Sequence, residues 1–156
     1  MSFADAYLEK VSLDPSLEIQ APSKDLAIVV ASPANNEPDL LKTLLSLLHC
    51  LRPDGAVEII ISINAAESAG PELIAQNHLT EKEVLTFARE NTDPGFRILV
   101  SHVHLMRDKD AGAGLARKMV MDHALSRFNR LDRPGGIILS LDADTICDEN
   151  YLTEVE

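Results

Sequence analysis

Short apolar runs alternate along the chain with stretches of helical periodicity. Leu26-Ala27-Ile28-Val29-Val30-Ala31 is continuous and rich in β-branched residues, which predicts a strand buried on both faces and ended by Pro33. Residues 38–48 place leucines at helical spacing, with Asn36 as the expected cap and Pro38 in the first turn. Arg52-Pro53-Asp54-Gly55 stops that helix with turn chemistry. A second strand is predicted over Val57–Ile63, followed by a loop and a helix. Thr80 and Glu83 form a capping-box pattern for that helix, and Asn91-Thr92-Asp93-Pro94-Gly95 ends it. Phe96–Val100 predicts a third, weaker strand, and residues 111–128 a glycine loop leading into a helix. Gly135-Gly136 introduces a fourth strand over Ile137–Leu141.

Strands alternating with helices predict an α/β fold: a mostly parallel, right-handed sheet with helices on both faces. Residues 1–24 are polar, carry Pro15 and Pro22, and read as an N-terminal arm to a single globular part over 25–156. Ligands of open α/β sheets bind beyond the carboxyl ends of the strands. Chemistry is therefore expected in Pro33–Glu37, Asn64–Ser68 and Asp142–Thr145.

Composition narrows the function. With 14 Lys+Arg against 25 Asp+Glu, the net charge of −11 argues against a nucleic-acid partner and against docking on anionic lipid. It leaves room for an anionic ligand, since one anion site needs only a cation or a few backbone amides. Cys50 and Cys147 make neither a disulfide framework nor a zinc pattern and read as small buried residues in a reducing compartment. The acidic N-terminus lacks the charge pattern of a signal peptide, and the longest apolar runs are strand-sized. A cytoplasmic chain with no membrane segment is expected.

Asp142-Ala143-Asp144 is the sharpest chemical feature. An apolar strand delivers two carboxylates to the sheet's binding edge, where they repel one another unless a cation joins them. Hard oxygen ligands suit Mg²⁺ or Mn²⁺ bridging to substrate phosphates; the plainer reading is a polar strand exit that caps a helix starting near Asp148. Gly112-Ala113-Gly114-Leu115-Ala116-Arg117 offers close backbone approach to an anion and a guanidinium that can pair with it, or else a helix start with tight packing. The dinucleotide fingerprint Gly-x-Gly-x-x-Gly is not met, because Arg117 takes the third glycine's place and the segment lies late in the chain. Pro33-Ala34-Asn35-Asn36-Glu37 and Asn64 read either as a turn with a cap or as a ligand edge. His49, His78, His102, His104 and His123 show no ligand spacing and read as structural or exposed.

Taken together, these segments resemble the nucleotide-binding half of a family 2 glycosyltransferase with the GT-A fold. The family's Pro-x-Tyr-Asn-Glu after the first strand corresponds to Pro33-Ala34-Asn35-Asn36-Glu37. Its Gly-x-Ala-Arg-Asn corresponds to Gly114-Leu115-Ala116-Arg117-Lys118, and its Leu-Asp-Ala-Asp to Leu141-Asp142-Ala143-Asp144. The order is kept across residues 26–156. Asn35 stands in place of the usual tyrosine, Ile63-Asn64 in place of two aspartates, and residues 66–95 exceed the common connection.

The resemblance implies roles. Pro33, Ala34 and Glu37 would line the nucleoside pocket, Asn64 would read the base, and Arg117 would lie over the nucleotide. Asp142 would contact the ribose or a metal-bound water, and Asp144 would hold Mn²⁺ or Mg²⁺ on the diphosphate. The donor would be a nucleoside-diphosphate sugar, a UDP-sugar in the first instance, used in inverting transfer to an unassigned acceptor. The family's catalytic base lies in an acceptor half, expected beyond Glu156, so this chain alone is expected to bind a nucleotide without transferring sugar. Two other readings stand beside it. One is a non-catalytic nucleotide-binding module. The other is a haloacid dehalogenase-type phosphatase, whose Asp-x-Asp-x-Thr pattern Thr145 misses by one position.

Overall fold

A computed structural model describes residues 1–156. The elements run α1 (Asp5–Leu8), α2 (Pro15–Glu18), β1 (Leu26–Ala34), α3 (Leu40–Leu48) and β2 (Ala56–Ala66), then α4 (Pro71–Glu90), β3 (Phe96–Val100), β4 (His104–Met106), α5 (Ala113–Arg130) and β5 (Ile137–Ser140). The sheet order is β3-β2-β1-β5, with β4 continuing along β2 beyond β3, and every pairing of named strands is parallel. The expected α/β architecture, a parallel sheet covered on both faces, is what the chain adopts.

The unbroken apolar runs have a direct cause. In β1 and β2 successive residues serve opposite cores. Ile28, Val30, Ile59 and Ile61 pack with Leu40, Leu44 and Leu47 of α3 and Val84 of α4. Val29, Ala31 and Ile60 pack with Val120, Ala124 and Phe128 of α5 and Leu17 of α2. β5, at the sheet edge, is only half-buried. Gly136 is where the chain enters it beside α5, and a Cβ there would lie 2.2 Å from the Phe128 ring.

Several boundaries differ from the sequence expectation, and β2 runs three residues past Ile63 to Ala66, so Asn64 lies within the strand rather than after it. β1 runs through Pro33 to Ala34. The Ala31 carbonyl accepts the Leu141 N–H at 3.0 Å, so Pro33, two residues on, turns its missing donor toward the side where β5 has already ended. Asn36 does not cap α3: it sits at φ 55° with its N–H donated to the Asn77 side chain, and the helix begins at Leu40, past Pro38. Thr80 starts no helix. Pro71, after Gly70, occupies the first turn of a 20-residue α4, in whose middle Thr80 is buried. Residues after Asp148 form turns rather than a helix. His104 lies in β4, a strand the sequence did not announce.

The arm is folded against α5 and β2. Arg127, fully buried on α5, donates two hydrogen bonds to the buried Glu58 carboxylate of β2 and one to the Gln20 carbonyl at 3.0 Å. Ser23 donates to the same carboxylate from its N–H (2.8 Å) and hydroxyl (2.9 Å). Buried charges are tolerated only when paired in this way. Nearer the N-terminus, the buried His123 ring accepts the Asp14 N–H at Nε2 (2.9 Å) and meets Glu18 at Nδ1 (2.8 Å), which places its proton on Nδ1.

Burial works to raise the Glu18 carboxyl. Its hydrogen bonds with His123 and the Ser126 hydroxyl, together with the Arg130 charge, outweigh burial and hold it below its ordinary value of 4.5. A carboxylate stabilised in the folded state adds stability above its unfolded pKa and loses it as pH falls through the folded one. Glu18→Gln should therefore cost about 1 kcal/mol near neutrality, allowing for partial exposure. The difference in melting temperature from the parent chain should close as pH drops below 4.5. A difference that stays constant down to the acid transition would contradict this.

Candidate functional site

The seven residues given nucleotide or metal roles from the sequence line one cleft of about 520 Å³ at the carboxyl end of the sheet, whereas Asn36, Gly114 and Thr145 do not. β1 and its exit supply Pro33, Ala34, Asn35 and Glu37; β2 supplies Asn64; α5 supplies Arg117; the segment after β5 supplies Asp142 and Asp144. Met106 of β4 and the first turn of α5 close the remaining side. The volume falls within the range of small-ligand sites. A Cβ added at Gly112 or Gly114 would meet no atom within 4 Å, so these glycines do not answer to tight packing; the helix start at α5 is left open.

The cleft has one cation among three carboxylates. Arg117 donates to Asp142 Oδ1 and to Ser140 Oγ, both at 2.5 Å, so the guanidinium and the first aspartate are held together across the cleft's edge. Asp144 is exposed and has no side-chain partner in the protein. Glu37 is half-buried; burial, then the charges of Asp144, Asp142 and Asp39, push its carboxyl above the ordinary range. The acidic groups after β1 and β5 thus share one electrostatic environment. No group of three or more His, Cys, Asp or Glu side chains forms a ready metal cage. A Mg²⁺-type cation that keeps waters and shares itself with phosphate oxygens needs only one or two carboxylates from the protein, and the exposed, unengaged Asp144 meets that need.

Asn64 contributes something different. Its side chain is buried, and its Nδ2 donates to the Ser62 carbonyl (3.0 Å) and hydroxyl (3.3 Å). A carbonyl can only accept, so the amide cannot be turned round, and Oδ1 is left without a partner. A buried acceptor with no donor costs free energy unless a ligand or water supplies one.

The loop bearing the two aspartates is held by α3 and the turn after it, through Thr43 and Ser46, to which the sequence assigned no role, and through Cys50. Thr43 Oγ1 donates to the Ala143 carbonyl (2.8 Å), Ser46 Oγ accepts the Cys147 N–H (3.0 Å), and Cys50 Sγ donates to the Asp148 carbonyl (3.3 Å). Positions 43 and 46 lie on one face of α3 and Cys50 follows just past its end, so two polar positions in a Leu-rich helix were the available signal. Both cysteines are free, and burial first of all pushes their thiols up. His102 and His78 are exposed beside Glu81, away from the cleft.

No helix is long and apolar enough to cross a membrane. Comparisons with protein-family models, with curated proteins and with solved structures return no match.

Proposed function

We propose that the cleft is the donor site of a sugar transferase of the GT-A type, binding a nucleoside-diphosphate sugar with a divalent cation. The observation that carries the reading is convergence. Pro33, Ala34, Glu37, Asn64, Arg117, Asp142 and Asp144 come from four separate chain segments and line one cavity of nucleotide size. In this reading the Pro33-Ala34 edge packs against the nucleoside, and the unpartnered Asn64 Oδ1 accepts an N–H from its base. Arg117 and Asp142, already joined, border the ribose and diphosphate. Asp144 holds Mn²⁺ or Mg²⁺, which when bound neutralises charge developing on the departing diphosphate. Without a cation the three carboxylates outnumber the single guanidinium, and a diphosphate is repelled.

Titrating the chain with UDP, GDP, CDP and ADP by calorimetry, in Mn²⁺ and in chelator, tests this directly. One nucleotide should bind with Mn²⁺, and chelation should weaken it by about tenfold or more, a loss of roughly 1.4 kcal/mol. Equal affinity in both conditions, or no binding of any of the four, would overturn the reading.

A further inference from the structure

The buried side chain nearest in chemistry to the cleft, yet outside every motif, is Asn77. It lies in the middle of α4, only 1% exposed, on the helix that follows the β2 exit. Its Oδ1 accepts the Asn36 N–H at 2.8 Å. Its Nδ2 donates to Asn35 Oδ1 at 3.1 Å and to the Asn64 backbone carbonyl at 3.3 Å. The orientation of this amide is forced: a backbone N–H can only donate and a carbonyl can only accept, so no flip satisfies both.

Three consequences meet at this one side chain. Asn36 stands at φ 55°, a left-handed conformation that asparagine takes more readily than other non-glycine residues, and the bond to Asn77 ties down its N–H. Asn35 has its carbonyl oxygen engaged by Asn77, which leaves its amide hydrogens to the cleft it lines. Asn64, whose own side-chain amide is committed to Ser62, has its backbone anchored as well, so its unpartnered Oδ1 has a fixed position. A hydrophobic side chain at position 77 would fill the same helix–sheet contact and give none of these bonds.

We propose that Asn77 is a positioning residue for the cleft: it clamps the β1 exit to the β2 exit and thereby presents the Asn64 acceptor rigidly enough to discriminate among bases. The inference rests on the nucleotide reading for its ligand, but the clamp itself does not. An acceptor held in place rejects a base edge that cannot supply a donor there, because both partners are then left unpaired in a buried setting. A loosened acceptor adjusts to several edges and discriminates less.

Asn77→Asp keeps the size and the acceptor for Asn36, but sets a carboxylate against the Asn64 carbonyl. Asn77→Ala removes the amide without adding charge and serves if the aspartate does not fold. Two readouts are needed. Amide exchange of Asn36 should quicken in Asn77→Ala by about tenfold more than that of the β1–β2 core amides, since the opened turn exchanges locally. Among UDP, GDP, CDP and ADP with Mn²⁺, the best ligand should weaken by about tenfold, and its preference over the others should narrow. A purely structural role would lower thermal stability and leave the preference ratio intact.

An unchanged ratio together with unchanged Asn36 exchange would overturn the proposal. An unchanged ratio with faster exchange would refute the role in base discrimination and leave a clamp of the backbone. If the parent chain bound none of the four nucleotides while Asn36 still lost protection, the nucleotide reading would fall and the clamp would stand.

Discussion

Arg127→Met should destabilise the chain by about 3–5 kcal/mol, the cost of stranding a buried charge, which is a large part of the ~5–15 kcal/mol that holds a domain together. Arg127 and Glu58 are both fully buried, and no water reaches either charge. Methionine matches the volume of arginine's aliphatic stem but leaves the Glu58 carboxylate with only the two Ser23 donors and Arg97, whose Nη1 stands 3.6 Å away. The Gln20 carbonyl loses its donor in the same stroke. For a chain of this length the melting temperature should fall by roughly 10 °C. The double change Glu58→Leu/Arg127→Met should recover part of the loss, because it removes the stranded charge along with its partner. Recovery will be incomplete, since Ser23 and Gln20 still lose their partner. A single variant within about 1 kcal/mol of the parent chain would show that the pair contributes little, as exposed pairs do.

The network around Arg127 also marks where sequence reading reaches its limit. The strands were legible because burial on both faces leaves an unbroken apolar signature, and β1, β2 and β3 carry it. Glu58, in the middle of β2, was hidden inside such a signature; nothing local says that a carboxylate there will meet an arginine 69 residues away. β4 was invisible for the opposite reason. Three residues, two of them exposed, pair only with the end of β2 and show neither alternation nor an apolar run.

The site divides in the same way. Pro33 and Asn64 stand in the last residues of β1 and β2, and Asp142 and Asp144 follow β5; all were legible because the carboxyl ends of strands in a parallel sheet converge by topology alone. Asn77, Thr43 and Ser46 reach the same place through helix packing; Thr43 and Ser46 leave only the trace of polar positions in a Leu-rich helix, which does not say what they meet. The capping-box reading at Thr80 failed through a local rule applied without its competitor: Gly70-Pro71 was the stronger start signal, and it lay nine residues earlier.

Asp144→Ala should collapse the metal dependence of nucleotide binding from both directions, if the cleft is the donor site proposed above. Arg117 already engages Asp142, so the carboxylate free to hold a cation is Asp144. Its removal should weaken binding in Mn²⁺ by about 2–3 kcal/mol, or roughly 30- to 150-fold, the scale of a charge-assisted contact. In chelator the sign reverses. The cleft then carries two carboxylates instead of three around the same guanidinium, so a bare diphosphate is repelled less. Affinity in chelator should therefore hold or rise while affinity in Mn²⁺ falls. Asp142→Ala separates the two aspartates, since it frees the Arg117 guanidinium from its 2.5 Å pairing. Metal-free binding should strengthen more in that variant than in Asp144→Ala, with some response to Mn²⁺ retained. Calorimetric titrations of both variants with the preferred nucleoside diphosphate, in Mn²⁺ and in chelator, decide the assignment. If Asp144→Ala kept the parent's response to Mn²⁺ and Asp142→Ala lost it, the cation would belong to the first aspartate, and the ion pair with Arg117 would have to open for it to bind.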